Sequence, residues 1–139
     1  MTNFQPANYS RLSPCVTVAD VTKAIDFYTK AFGFEVLEKH EREGVVSGAS
    51  LKLGEVTFMV FDHAMSSYTK TLSPADTRAS SGSSVYAYCP DVDALYANAI
   101  ACGAKSLAEP QDAFWGDRYC QLLDIDGYEW GFATCQQKK

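Results

Sequence analysis

The chain has no apolar run long enough to span a bilayer, no block of lysine or arginine, and only two histidines. A spanning helix needs about 20 consecutive apolar residues, so a helical membrane protein is not the expectation. The missing basic block, together with a formal charge of -5, argues against a nucleic-acid partner, since nothing concentrates positive charge against a phosphate backbone. The five cysteines, at 15, 89, 102, 120 and 135, are odd in number and include no C-x-x-C pair. They read as reduced thiols rather than a disulfide frame or a zinc site. The opening stretch MTNFQPANYSRLSP lacks the apolar core of an export leader. The expectation is therefore a soluble, cytoplasmic protein.

What is present suits one folded domain over 1–139. Apolar residues make up 47% of 139 residues, enough to bury about two thirds of the unfolded surface. The first strand is expected from Ser13 to Val18, with Asp20 as the N-cap of a helix because its short side chain can accept from free first-turn amides. Val21, Ala24, Ile25, Tyr28 and Phe32 recur at helical spacing, and Gly33 closes the helix. Three β-rich runs follow, over 34–40, 45–53 and 56–62, separated by turn residues. Residues 63–82, rich in Ser, Thr, Pro and Asp, read as a linker loop. The pattern then recurs: a strand from Ser84 to Cys89, Asp91 as cap, Val92, Leu95, Tyr96 and Ala99 at helical spacing, and Gly103 as the stop. Further β-runs are expected over 105–107, 119–124 and 128–134, with Asp126-Gly127 as a hairpin turn. The caps Asp20 and Asp91 lie 71 residues apart, so the simplest account is an α+β fold of two tandem βαβββ units, about 12–62 and 83–135. Each unit would carry a helix on one face of its sheet and need cover for the other.

The stretches SPCVTVADVTKAIDFYTKAFGFEV, VYAYCPDVDALYANAIACGA and FWGDRYCQLLDIDGYEWGFAT resemble the glyoxalase/bleomycin resistance protein/extradiol dioxygenase superfamily, the vicinal oxygen chelate proteins. Within it the nearest flavour is that of bleomycin resistance proteins and of the glyoxalase-like proteins associated with phosphonate operons. The resemblance implies paired sheets forming a cup, a small-molecule ligand and a homodimer. In metal-dependent members, four inward positions carry His, Glu or Gln. Mapped by the resemblance, those positions here are Ser13, Met59, Ser84 and Gly131, and a slip of two residues in the last strand would bring Glu129 into the set. None of the four is a usual ligand for a divalent cation, so no metal and no other cofactor is expected. His40 sits in a charged stretch that reads as a solvated face, and His63 opens the loop.

If Ser13 and Ser84 point inward, two-residue alternation points Cys15, Thr17, Tyr86 and Tyr88 the same way, with Thr57, Met59, Phe61 and Glu129 from later strands. Such a lining suits a planar or amphipathic organic molecule. Trp115 and Arg118, in the Phe114–Tyr119 stretch that borders the pocket in the relatives, are expected to stack on the ligand and to bind an anionic group or hold Asp117. Trp130 is expected in the core under the second helix. The leading expectation is metal-independent binding and sequestration of a small aromatic or cationic molecule, as in antibiotic resistance, with no catalytic residues. The alternative is a metal-dependent glyoxalase-like lyase or related enzyme with non-standard ligands.

Overall fold

A computed structural model describes residues 4–62 and 72–136. The chain divides into two units, one made of 1–29 and 33–72 and the other of 30–32 and 73–139. In the first unit, β1 (Cys15–Thr17) leads into α1 (Val21–Phe32), then β2 (Glu35–Arg42), β3 (Val45–Leu53) and β4 (Val56–Phe61). The sheet order is β1-β4-β3-β2. The β1/β4 pair is parallel and the others are antiparallel. Asp20 caps α1 by accepting from the Lys23 amide at 3.0 Å, and Gly33 ends it with a left-handed φ of 78°. Tyr28, Phe34 and Phe58 pack edge-on or tilted against one another within 5.1–5.8 Å. These are the large rings of the first core.

The second unit repeats the plan. After the short α2 (Pro74–Thr77) come β5 (Ser84–Tyr88), α3 (Val92–Ala101), β6 (Lys105–Asp112), β7 (Asp117–Leu123) and β8 (Glu129–Cys135). Their order is β5-β8-β7-β6, again with a parallel first pair. Asp91 caps α3 through the Ala94 amide at 3.1 Å. The Thr134 hydroxyl accepts from the Val92 amide at 2.9 Å and donates to the Cys89 carbonyl at 3.0 Å, fixing the start of α3 to β8. Trp130, Phe132 and the Phe32 ring at the end of α1 form the aromatic heart of this unit, with Trp130 and Phe132 stacked at 5.8 Å. The two four-stranded mixed sheets with few helices make the expected α+β fold.

Three local expectations need correction. Part of the supposed linker is helical: Ser73 caps α2 by accepting from the Asp76 amide, and Pro74 at the first position suits a helix start because it has no amide to leave unpaired. Strand β6 runs on to Asp112 rather than stopping at Leu107. It passes Pro110 because β6 is an edge strand with irregular pairing between Ala108 and Gln111, where a missing amide breaks no ladder bond. Strand β7 starts at Asp117, two residues early, because Asp117 and Arg118 already pair with Cys135 and Thr134. Residues 63–71 of the expected linker, including His63, lie outside the described residues.

Candidate functional site

In each sheet one face carries the helix and the other does not. The second sheet's helix-free face follows from register. Tyr86 lies beside Gly131 and Tyr88 beside Ala133, while Tyr119 pairs with Ala133 and Asp117 with Cys135. Alternation turns Trp130, Phe132, Cys120 and Leu122 to the buried side. Trp130 is 1% exposed and donates its indole N–H to Asp124 Oδ2 at 2.9 Å. The other Asp124 oxygen accepts from the amides of Asp126 and Tyr128, so the Asp-x-Asp-Gly motif scaffolds the last hairpin.

On the open side, one carboxylate gathers three aromatic donors. Tyr86 Oη, Tyr88 Oη and Trp115 Nε1 all donate to Asp117 Oδ2, at 2.8, 2.9 and 2.9 Å. Asp117 itself is buried, whereas Tyr86, Tyr88 and Trp115 are 45%, 63% and 43% exposed. The Trp115 ring tilts against Tyr119 at 5.1 Å, and the Tyr86 and Tyr88 rings meet edge to face at 5.6 Å. Burial alone would raise the Asp117 carboxyl, but the hydrogen bonds from Tyr86, Tyr88 and Trp115 outweigh it and hold it below the usual value. The Tyr86 phenol is pushed up to about 12, chiefly by loss of solvent around its hydroxyl; the Trp115 N–H opposes the rise, and the hydrogen bond to Asp117 and that carboxylate's charge add to it. Tyr88 is raised chiefly by its bond to Asp117. At neutral pH the cluster therefore carries one negative charge and two intact phenols.

The arrangement has a chemical polarity. Every polar hydrogen of the three aromatic groups is spent inward on Asp117, so outward there remain ring surfaces, phenol lone pairs and the field of a carboxylate. A surface of that kind attracts cations and hydrogen-bond donors.

Arg118 is not part of it. Its guanidinium clasps Asp93 of α3 at 2.8 and 3.0 Å and Asp112 at 3.1 Å, on the helix-bearing side, because adjacent strand residues point to opposite faces. Its pKa is raised by those two partners. The expected Asp117–Arg118 pairing is thus replaced by two separate assemblies, and an anion has no free guanidinium there. Ser84 is exposed on the open face beside Glu129, which is half-buried.

In the first unit Ser13, Met59 and Phe61 occupy a different setting. The Ser13 hydroxyl bonds that of Thr57, which also bonds the Ser10 hydroxyl at 2.7 Å, and the Thr57 amide donates to Ser10 Oγ at 3.0 Å. Tyr9 Oη donates to Glu38 at 2.6 Å. The N-terminal segment thus lies across this sheet and engages its hydroxyls. Met59 and Phe61 are half-buried, and the Phe61 ring lies over Gly48, where an added Cβ would come within 3.0 Å of it.

The donor chemistry does not fit the metal that the resemblance implies. Two hydroxyls already hydrogen-bonded or exposed, a thioether and a glycine are a poor set for a divalent ion. A Cβ at Gly131 would approach Tyr86 Cδ1 to 2.8 Å, so the tyrosine ring holds the space that a ligating side chain would need. Among the described residues no three His, Cys, Asp or Glu side chains gather as a metal site. No helix among them is long and apolar enough to cross a membrane.

The fold agrees with what comparison finds. Residues 11–132 match the Glyoxalase/Bleomycin resistance protein/Dioxygenase superfamily. The chain belongs to that family. An uncharacterized protein of Mycobacterium bovis is 32% identical over 130 residues, 92% of this chain and 82% of its own. The crystal structure of TioX from Micromonospora sp. ML1 matches with a TM-score of 0.71 at 26% identity, covering 91% of this chain and 98% of that one. A glyoxalase/bleomycin resistance protein/dioxygenase family enzyme from Burkholderia phytofirmans has the same fold, with a TM-score of 0.67 at 19% identity over 88% of this chain and 96% of that one.

Sequence reasoning missed the role of Asp117 as a shared acceptor. The signal was there in Trp115-Gly116-Asp117: a turn tryptophan two residues before a strand aspartate reaches the same face. It was hidden by the adjacent Arg118, which invited a pairing that strand alternation forbids.

Proposed function

We propose that the open face of the second unit binds and sequesters small organic cations, aromatic ones preferentially, without a metal. One observation carries this reading: the three aromatic donors turned inward onto Asp117, which leave an exposed, electron-rich surface over a buried negative charge. Cation–π attraction over such rings contributes about 0.5–2 kcal/mol per contact, and burial of an aromatic body adds about 25 cal/mol per Å2 of apolar surface before association costs. Binding alone then keeps a toxic compound from its target, and no group of the cluster need change its covalent state. Five free cysteines accord with a reducing, cytoplasmic setting, and a homodimer is the assembly that goes with the reading.

The experiment is calorimetric titration with three probes that share a benzyl group: benzyltrimethylammonium, its neutral analogue neopentylbenzene, and the anion phenylmethanesulfonate. The cation should bind, and Trp115→Ala should weaken it while the protein stays folded. Equal binding of all three, or preference for the sulfonate, would sink the proposal. Light scattering on the same sample reads the assembly.

A further inference from the structure

A second feature of the second unit lies away from the aromatic cluster. A groove of about 540 Å3 runs between α2 and one end of the sheet, lined by Leu107, Leu123 and Ile125 together with Arg78, Lys105 and Glu129. That volume is within the range of small-molecule sites, about 300–1,000 Å3.

The wall carrying Arg78 is held in place. The Ala75 amide donates to the Asp126 carbonyl at 2.9 Å, and α2 sits so near the hairpin that a Cβ at Gly127 would come within 2.9 Å of the Ala75 nitrogen. Arg78 then turns the chain with a φ of 61°, a conformation that residues with side chains seldom adopt. The groove is therefore built by backbone contacts, not by the charged groups themselves. Those groups are left over: among the described residues no side-chain hydrogen bond or ion pair engages the charged end of Arg78, Lys105 or Glu129, although Glu129 is half-buried. Charges of both signs thus flank one apolar lining, Arg78 and Lys105 exposed to solvent and Glu129 half-buried, an arrangement that can meet both ends of a dipolar ligand.

We infer that this groove is a binding site for a small zwitterion with an apolar body, its ammonium group meeting Glu129, its carboxylate meeting Arg78 and Lys105, and its side chains lying on Leu107, Leu123 and Ile125. An ion with a single sign would satisfy only part of the set. The site lies on the same sheet face as the aromatic cluster but uses none of the residues Tyr86, Tyr88, Trp115 and Asp117, and either proposal can fail alone.

The test uses the full chain labelled with nitrogen-15 and the dipeptide leucyl-leucine, compared with its N-acetyl derivative, which lacks the ammonium, and its C-terminal amide, which lacks the carboxylate. The dipeptide should shift amides in 103–107 and 123–129 and leave the Trp115 indole unmoved. Acetylation should weaken binding to the native protein by about tenfold but make little difference in Glu129→Gln. Amidation should behave the same way toward the double variant Arg78→Gln, Lys105→Gln. All three side chains project from the surface of a backbone-built groove, so the variants should keep the native amide dispersion, which the same spectra check. The inference is overturned if the dipeptide leaves these amides unmoved at millimolar concentration, if the three probes bind the native protein equally, or if the variants keep its discrimination.

Discussion

The two units share a plan and differ in what they do with it. Register aligns Cys15 and Thr17 of β1, and Ser13 just before it, with Tyr86 and Tyr88 of β5 and its first residue Ser84, and Thr57, Met59 and Phe61 of β4 with Glu129, Gly131 and Ala133 of β8. In the first unit the open face is engaged by the chain's own N-terminal segment through Tyr9, Ser10 and Ser13. In the second, two tyrosines replace the small side chains, a glycine and an alanine make room for their rings, and a buried carboxylate holds them upright. The two repeated sheets thus present corresponding faces, one engaged by the N-terminal segment and the other lined by exposed tyrosines. The buried faces remained alike: Phe58 aligns with Trp130 and Val60 with Phe132, all core residues.

That contrast can be broken in order of severity. Trp130→Ala and Phe58→Ala should each lower stability by about 3–5 kcal/mol, since both empty a close-packed aromatic site, and denaturant unfolding should show similar losses in either unit. Asp117→Leu should then separate the faces: Tyr86, Tyr88 and Trp115 lose their common acceptor, and affinity for benzyltrimethylammonium should fall by about thirtyfold or more, the scale of a binding hot spot. A matching change in the first unit, Thr57→Val, should leave that affinity unchanged while loosening the N-terminal segment, read by faster amide exchange at Ser10. Gly131→Ala should act through Tyr86 alone, because its Cβ meets a side chain and not backbone; the expected result is weaker cation binding with little loss of stability. Arg118→Ala should have the smallest effect, a slight fall in Tm with binding intact, since its partners Asp93 and Asp112 are exposed and lie on the other side of the sheet.

The same cluster sets a pH window. Asp117 has a folded pKa below its ordinary 3.8, so its stabilising contribution is present above that value and is lost as pH falls through the lower folded one. Tyr86 has the opposite sign. Raised from 10.0 to about 12, it contributes fully below pH 10.0 and its contribution is lost as pH rises toward 12. Cation affinity should therefore be flat through neutral pH and fall only at the acid edge, as the carboxylate takes up its proton.

Much of the fold was legible because the repeat is written in local chemistry. Asp20 and Asp91 announce their helices, Gly33 stops the first, and the apolar spacing of Val21 to Phe32 follows from which face is buried. The misjudged places are those where tertiary pairing overrides local signals: Pro110 inside an edge strand, and Ser73-Pro74 starting a helix turn that the hairpin at Asp126 holds. The site was legible in its parts but not in its connections. Tyr86 and Tyr88 fall on one face by alternation, and Trp115 stands out beside glycine. Their convergence on Asp117 depends on the β5–β8–β7 register, which no local pattern records. The groove rim at Arg78 was invisible for the same reason, since it depends on α2 meeting a turn some 50 residues further along the chain.

The most direct measurement follows the two indole N–H resonances as benzyltrimethylammonium is added to the labelled protein. Each indole donates to an aspartate, Trp115 to Asp117 on the open face and Trp130 to Asp124 in the core, so the protein carries its own control. The account requires the Trp115 resonance and the amides around Tyr86 and Tyr88 to move with saturation, while Trp130 and the amides of 57–61 stay still. Movement centred on 57–61, with Trp115 unmoved, would place the ligand on the first unit and contradict the division of roles between the two faces.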